Sequence, residues 1–191
     1  YKAAARMVEH IEPMFSFVTA PALTTPEGAE QVTVSVVSPG MFSLLGRQAA
    51  IGRALVPEDK AGVVVLSDGF WARRFGRASS ILGQRLVVDN APVVIVGVMP
   101  ADFVFPFQGM LGPSGFTTRT SVDLWAALDA SRDTRFMDAN RRPVRNVHFL
   151  SVLGRLTPGA SLAQAREEAA AIAGQLEQAF PEVNTGLSAN V

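Results

Sequence analysis

The sequence predicts an α+β fold, and three observations carry that prediction. Residues Gln31 to Val37 alternate apolar and polar with period two, as a strand with one buried face does. Near the C-terminus, Leu162, Ala165, Ala169, Ile172, Leu176 and Phe180 recur three or four apart, which is one stripe of an amphipathic helix. Between these two segments, strand and helix patterns mix without the regular βαβ rhythm of a doubly wound sheet.

The elements follow in chain order. Ala, Met, Val and Ile at helical spacing predict a helix over 1–10, ended by Pro13, with His10 as a favourable charge at its end. Residues 15–19 alternate as a short strand, and Thr24 to Gly28 is turn material. Ser38-Pro39 followed by Gly46 predicts a short capped helix, Pro39 to Leu45, with Phe42 and Leu45 facing the core. Gly62 to Leu66 is an apolar run expected as a buried strand. Ser67-Asp68 then caps a helix holding Phe70, Trp71 and Phe75, stopped by Gly76. Arg85 to Val88 and Val93 to Val96 flank Asp89-Asn90-Ala91-Pro92, a hairpin by spacing that lacks the usual turn glycine. Residues 101–121 form an aromatic-rich loop, and Asp123 to Leu128 a short strand. Arginines interleaved with aspartates make 132–145 a solvated loop or frayed helix. Asn146 to Leu156 is the last clear strand, after which Ser161 and Gln164 fit a capping box and Pro181 ends the long helix. The tail after Asn184 is expected to add a closing strand.

Composition narrows the function. Seventeen Lys/Arg balance seventeen Asp/Glu, so the diffuse positive field that non-specific nucleic-acid binding uses is absent. With no cysteine there is no disulfide framework, thiol nucleophile or cysteine-zinc site. Although 48% of the 191 residues are apolar, the charge-free stretches are broken by Ser, Thr, Pro and Gly, and none supplies the roughly 20 apolar residues of a membrane span. The missing start methionine leads us to expect a piece of a larger protein, continuing at both ends into membrane helices.

No catalytic constellation is legible. The lysines, Lys2 and Lys60, lie outside any Walker-type loop, and Gly109, Gly112 and Gly115 lack the strand–turn–helix setting of a nucleotide fingerprint. His10 and His148 stand in no metal-binding spacing; His148 reads as a packed strand histidine. Glu167 and Glu168 are adjacent on a helix and so point about 100° apart, which leaves them the role of offsetting the helix dipole.

One spaced pattern does stand out. It runs through Val37-Ser38-Pro39, Phe42, Leu45-Gly46, Gly52-Arg53, Asp59, Val65-Leu66-Ser67, Trp71 and Arg74-Phe75-Gly76. It continues through Leu82-Gly83, Val96-Gly97-Val98-Met99-Pro100, Phe103, Asp123-Leu124-Trp125 and Arg155-Leu156. The succession resembles the MacB-like periplasmic core domain, more narrowly the version in duplicated permeases first noted in acidobacteria.

That resemblance implies a ferredoxin-like porter subdomain formed from both chain ends, residues 1–67 plus 146–191. It also implies an inserted mixed α/β, Sabre-like subdomain, residues 68–145. The chain would be a non-enzymatic extracytoplasmic, periplasmic domain of an ABC transporter permease, a protein of the cytoplasmic membrane. It would relay ATP-driven motion to an adaptor protein or periplasmic cargo in efflux. The implied partners are its own transmembrane helices on both sides, a separate cytoplasmic ATPase subunit, a periplasmic adaptor, and a second copy in the dimeric transporter. No cofactor, metal or nucleic acid is expected. The aromatic loop and the arginine segment supply the candidate partner contacts: Phe103, Phe105, Phe107, Phe116, Arg141 and Arg142. The alternative is a free-standing periplasmic module whose aromatic loop binds a small apolar ligand or lipid.

Overall fold

Strand pairing overrides helical spacing at the start of the chain. In the computed structural model, which describes residues 5–15, 20–26, 28–105, 121–128 and 150–186, residues Val8–Phe15 form strand β1 and not the end of a helix. A helix of about ten residues is marginal on its own, whereas here Met14 pairs with Val37 and the chain just before β1 is bonded to distant residues. Pro13 therefore lies within a strand, and the helix-end role expected for His10 disappears. Residues 16–19, the segment 129–149 with His148, and the tail 187–191 lie outside the described residues.

Contacts divide the chain into two compact units, Tyr1–Glu12 with Asp133–His148 and Val152–Val191, and Pro13–Arg132 with Phe149–Ser151. The larger one is built on a mixed sheet. After β1 come β2 (Ala22–Thr25), β3 (Gly28–Gln31), β4 (Val34–Val37), the one-turn helix α1 (Met41–Leu44), β5 (Ile51–Gly52) and β6 (Val63–Leu66). Helix α2 (Asp68–Phe75), a 3-10 turn (Ser79–Ile81), β7 (Arg85–Val88), β8 (Ala91–Val98) and β9 (Leu124–Ala127) complete it. The strand order is β4-β9-β6-β8-β7-β2-β3, with β5 on β8. Two neighbours run parallel, β4 with β9 and β6 with β8; the other pairings are antiparallel.

The predicted strand Gln31 to Val37 is broken at a corner. Gln31 closes the β2–β3 hairpin, Val32 N–H bonds Pro21 O, and Thr33 is held by Asp123 before β4 begins. The run 63–66 is apolar throughout because both faces are covered. Val64 and Leu66 join Phe70 and Trp71 of α2, Ile81, Ile95 and Leu124 in one core, while Val65, pointing the other way, pairs in register with Trp125.

Capping chemistry places α2 where expected. Ser67 accepts the Phe70 N–H at 3.2 Å, and Gly76 ends the helix in the left-handed region at φ 54°, which a side chain would resist. Helix α1 differs in detail: it starts at Met41 with Gly40 as its N-cap, and Ser38 contributes its carbonyl to the Met41 N–H at 3.0 Å. Phe42 is buried as predicted, joined by Met41 and Leu44, while Leu45 is half-buried. The β7–β8 hairpin is tighter than the sequence implies. Asp89 and Asn90, at φ 48° and 62°, alone make the turn, so Ala91 and Pro92 belong to β8. Both residue types tolerate that conformation, which replaces the missing glycine.

Gly97 marks a close approach of two backbones. A Cβ there would sit 2.1 Å from Arg53 O, so no side chain fits. The Arg53 stretch is itself held by a bidentate pair, Arg53 Nη1 to Asp59 Oδ2 at 2.6 Å and Nη2 to Oδ1 at 2.9 Å, with Val56 N–H on Oδ2 at 2.9 Å. Chiefly through the Arg53 hydrogen bond, which outweighs desolvation, the Asp59 carboxyl is held below the usual carboxylate range. A carboxyl depressed by folding stabilises the native state fully above its unfolded pKa of about 4, and that contribution vanishes as pH falls through the lower folded value. Asp59→Asn should therefore show a constant stability deficit above about pH 5 that closes toward pH 2 in denaturant melts. A deficit independent of pH would mean that Asp59 matters only for shape.

The smaller unit contains residues 152–156 of β10 (Leu150–Leu156), the strand beside β1, with the long helix α3 (Leu162–Ala179) and the short α4 (Pro181–Asn184). Ser161 and Gln164 form the predicted capping box, with Gln164 N–H on Ser161 Oγ at 3.2 Å and Ser161 N–H on Gln164 Oε1 at 2.8 Å. Ala165, Ala169 and Ile172 are its buried stripe, whereas Leu162 is exposed. Pro181 ends α3 as predicted and opens α4.

Candidate functional site

The aromatic segment after β8 is anchored from below by β9. Leu124 turns toward the α2 core, so Trp125 is presented on the opposite face. There its ring meets Phe103 at 5.2 Å and Phe42 at 6.1 Å, both edge-on, and Phe42 meets Phe103 at 5.5 Å. Trp125 Nε1–H donates to Phe105 O at 3.1 Å, which fixes the backbone of the segment as well as its rings. Edge-on aromatic pairs of this kind add about 0.5–1.5 kcal/mol each beyond their burial.

Above this cluster lies an open depression of about 310 Å³ lined by Leu45, Arg47, Asp102, Phe103, Val104 and Phe105. Arg47 bonds Asp102 at 2.7 Å and lies 5.9 Å from the Phe103 ring centre, placing one cation at an aromatic rim. The hydrogen bond from Arg47 holds the Asp102 carboxyl below its ordinary range. Val104 is 58% exposed, while Phe105 is 3% exposed and Phe103 half-buried. Of the six candidate contacts, Phe103 and Phe105 are thus brought together on Trp125; Phe107, Phe116, Arg141 and Arg142 lie outside the described residues.

No group of three or more His, Asp or Glu that could hold a metal occurs among the described residues, and no helix among them is long and apolar enough to cross a membrane. The charged side chains that are buried serve as joints. Asp123, 7% exposed, accepts Thr33 N–H at 2.9 Å and Arg73 Nη2 at 3.0 Å. Glu168 accepts the main-chain N–H groups of Arg6 and Met7, a use that sequence periodicity gave no sign of.

These geometries coincide with the spaced sequence pattern, and the MacB-like periplasmic core domain family matches residues 1–172. The chain belongs to that family. It is a periplasmic, extracytoplasmic domain of a MacB-like ABC transporter permease. Solved structures share its α+β fold at low sequence identity. The periplasmic region of MacB from Actinobacillus actinomycetemcomitans is 13% identical with a TM-score of 0.62, covering 95% of this chain and 72% of that one. The extracellular domain of the ABC-type transporter YknZ from Gram-positive bacteria is 15% identical with a TM-score of 0.60, covering 92% and 78%. No curated protein gives a sequence match.

Proposed function

We propose that this MacB-like domain is a non-enzymatic relay: it takes up ATP-driven movement of flanking membrane helices and delivers it to an adaptor protein or periplasmic cargo during efflux. The observation that carries this reading is the family match over residues 1–172. It is supported by the carboxylates of Asp123, Glu168 and Asp59, each of which accepts main-chain N–H groups and so ties backbone segments together. ATP hydrolysis is assigned to a separate cytoplasmic subunit and dimerisation to the assembled transporter. The porter-like part is drawn from residues 1–67 and 146–191 and the Sabre-like part from 68–145, a division that the pairing of β4 with β9 and of β6 with β8 crosses. Phe103, Phe105, Phe107, Phe116, Arg141 and Arg142 are assigned to the partner-facing surface, with Phe105 beneath and Phe103 at its rim. Family membership favours this reading over a free-standing apolar-ligand module.

The test is export by the complete permease and its ATPase in proteoliposomes. Deleting this domain is expected to abolish export while ATP hydrolysis continues, and Arg141→Glu with Arg142→Glu to weaken adaptor capture. Export that persists without the domain would overturn the relay.

A further inference from the structure

We propose that Glu168 is a clasp that makes the segment leading into β1 and helix α3 move as one body, a role that rests on the relay reading above. Its two carboxylate oxygens accept successive main-chain N–H groups, Arg6 at 2.7 Å and Met7 at 2.8 Å. Met7 is held from its other side too: its carbonyl accepts Thr157 N–H at 3.1 Å and Thr157 Oγ1 at 3.4 Å. One residue at the approach to β1 is therefore tied both to α3 and to the turn that leads into α3.

The position of Glu168 on the helix explains why it, and not Glu167, does this. Glu168 lies three residues after Ala165 and four before Ile172, on the buried side of α3, and is half-buried. Glu167 is turned about 100° away and is exposed. Hydrogen bonds to an ionised acceptor are roughly twice as strong as neutral ones. On the β1 side the donors are main-chain groups that any residue other than proline supplies. The whole requirement for side-chain identity thus falls on Glu168.

In the relay, force enters through the chain preceding β1. The clasp hands that displacement straight to α3, a rod of 18 residues whose first turn is locked by the Ser161–Gln164 box. Without it, Arg6 loses its tie to α3, and Met7 keeps only the indirect one through Thr157 and the turn that leads into the helix.

Amide hydrogen exchange on the 191-residue chain tests the clasp. Glu168→Ala is expected to reduce protection at the Arg6 and Met7 amides about tenfold, beyond any change elsewhere in the chain, and Glu168→Gln to reduce it less. Ile172→Val, a comparable packing loss in α3, is expected to leave these two amides unchanged relative to their neighbours. Equal exchange at residues 6 and 7 in all variants would overturn the clasp. In the complete permease, Glu168→Ala should lower export per ATP hydrolysed and Ile172→Val should not. Lost protection with unchanged export would leave the tie standing, overturn its part in force transfer, and count against the relay reading at this end of the domain.

Discussion

Truncating Trp125 to alanine is expected to destabilise the domain by about 3–5 kcal/mol, the range for deleting a buried tryptophan. The residue is 1% exposed and is the largest fully buried side chain among the described residues. Three losses coincide: the ring volume between Phe42 and Phe103, two edge-on aromatic contacts, and the Nε1–H bond to Phe105 O. Because the missing volume lies beneath the aromatic segment, the effect should be local as well as global, with residues 103–105 losing amide protection first. Trp125→Phe separates the contributions. It keeps most of the ring contact and removes the donor, so a loss of about 1 kcal/mol is expected, the net worth of one hydrogen bond. Denaturant melts of both variants check this. If Trp125→Ala costs less than Trp125→Phe is expected to, the aromatic segment does not depend on β9.

The same three-residue motif shows why much of this fold could be read from sequence. Leu124 and Trp125 alternate across β9, so one serves the α2 core and the other the opposite aromatic cluster, while Asp123, just before the strand, makes the joint at the sheet corner. Local signals of this kind were reliable. Ser67 and Gly76 bracket α2, Ser161 and Gln164 cap α3, and the alternation over 85–96 gives a hairpin, because capping and pleat act over a few residues. The candidate partner residues at 103 and 105 were visible as aromatics, but their anchoring by Trp125 was not.

What sequence hid has one physical cause, pairing over long separations. Helical spacing gives the wrong element over 8–10, and the groups that hold the chain just before it, Glu168 and Thr157, lie about 150 residues or more away. The strand expected over 31–37 breaks because Asp123, 90 residues on, captures Thr33. Gly97 and Arg53 stand within one spaced pattern, yet only the approach of the Arg53 backbone, which leaves no room for a Cβ, explains why a glycine is needed there. In this domain several motif residues are joints between segments distant in sequence, which periodicity alone does not reveal.

Replacing Asp123 by alanine should be the second large effect, about 2–4 kcal/mol, and the ordering of three variants tells which bond matters. Asp123 is tied through both main chain and side chain: its N–H and that of Leu124 bond Thr33 O, its carbonyl accepts Ser67 N–H at 2.9 Å, and Oδ2 accepts Thr33 N–H. It therefore joins the start of β4, the start of β9 and the N-cap of α2. The ion pair with Arg73 is the weaker part, since that side chain is 56% exposed and can return to water; such pairs contribute about 0–1 kcal/mol. The Oδ2 bond to the Thr33 N–H is buried and charge-assisted, worth about 1.5–3 kcal/mol. Asparagine keeps an acceptor for Thr33 but turns an amide toward the Arg73 guanidinium, so an intermediate loss is expected. Melts should thus rank Asp123→Ala above Asp123→Asn above Arg73→Ala, the last costing under about 1 kcal/mol. If Arg73→Ala matches Asp123→Ala, the ion pair and not the backbone joint holds the corner. The corner also sets the register of β4 on β9. Amide protection of Val34 to Val37 should therefore fall in Asp123→Ala and stay near wild type in Arg73→Ala.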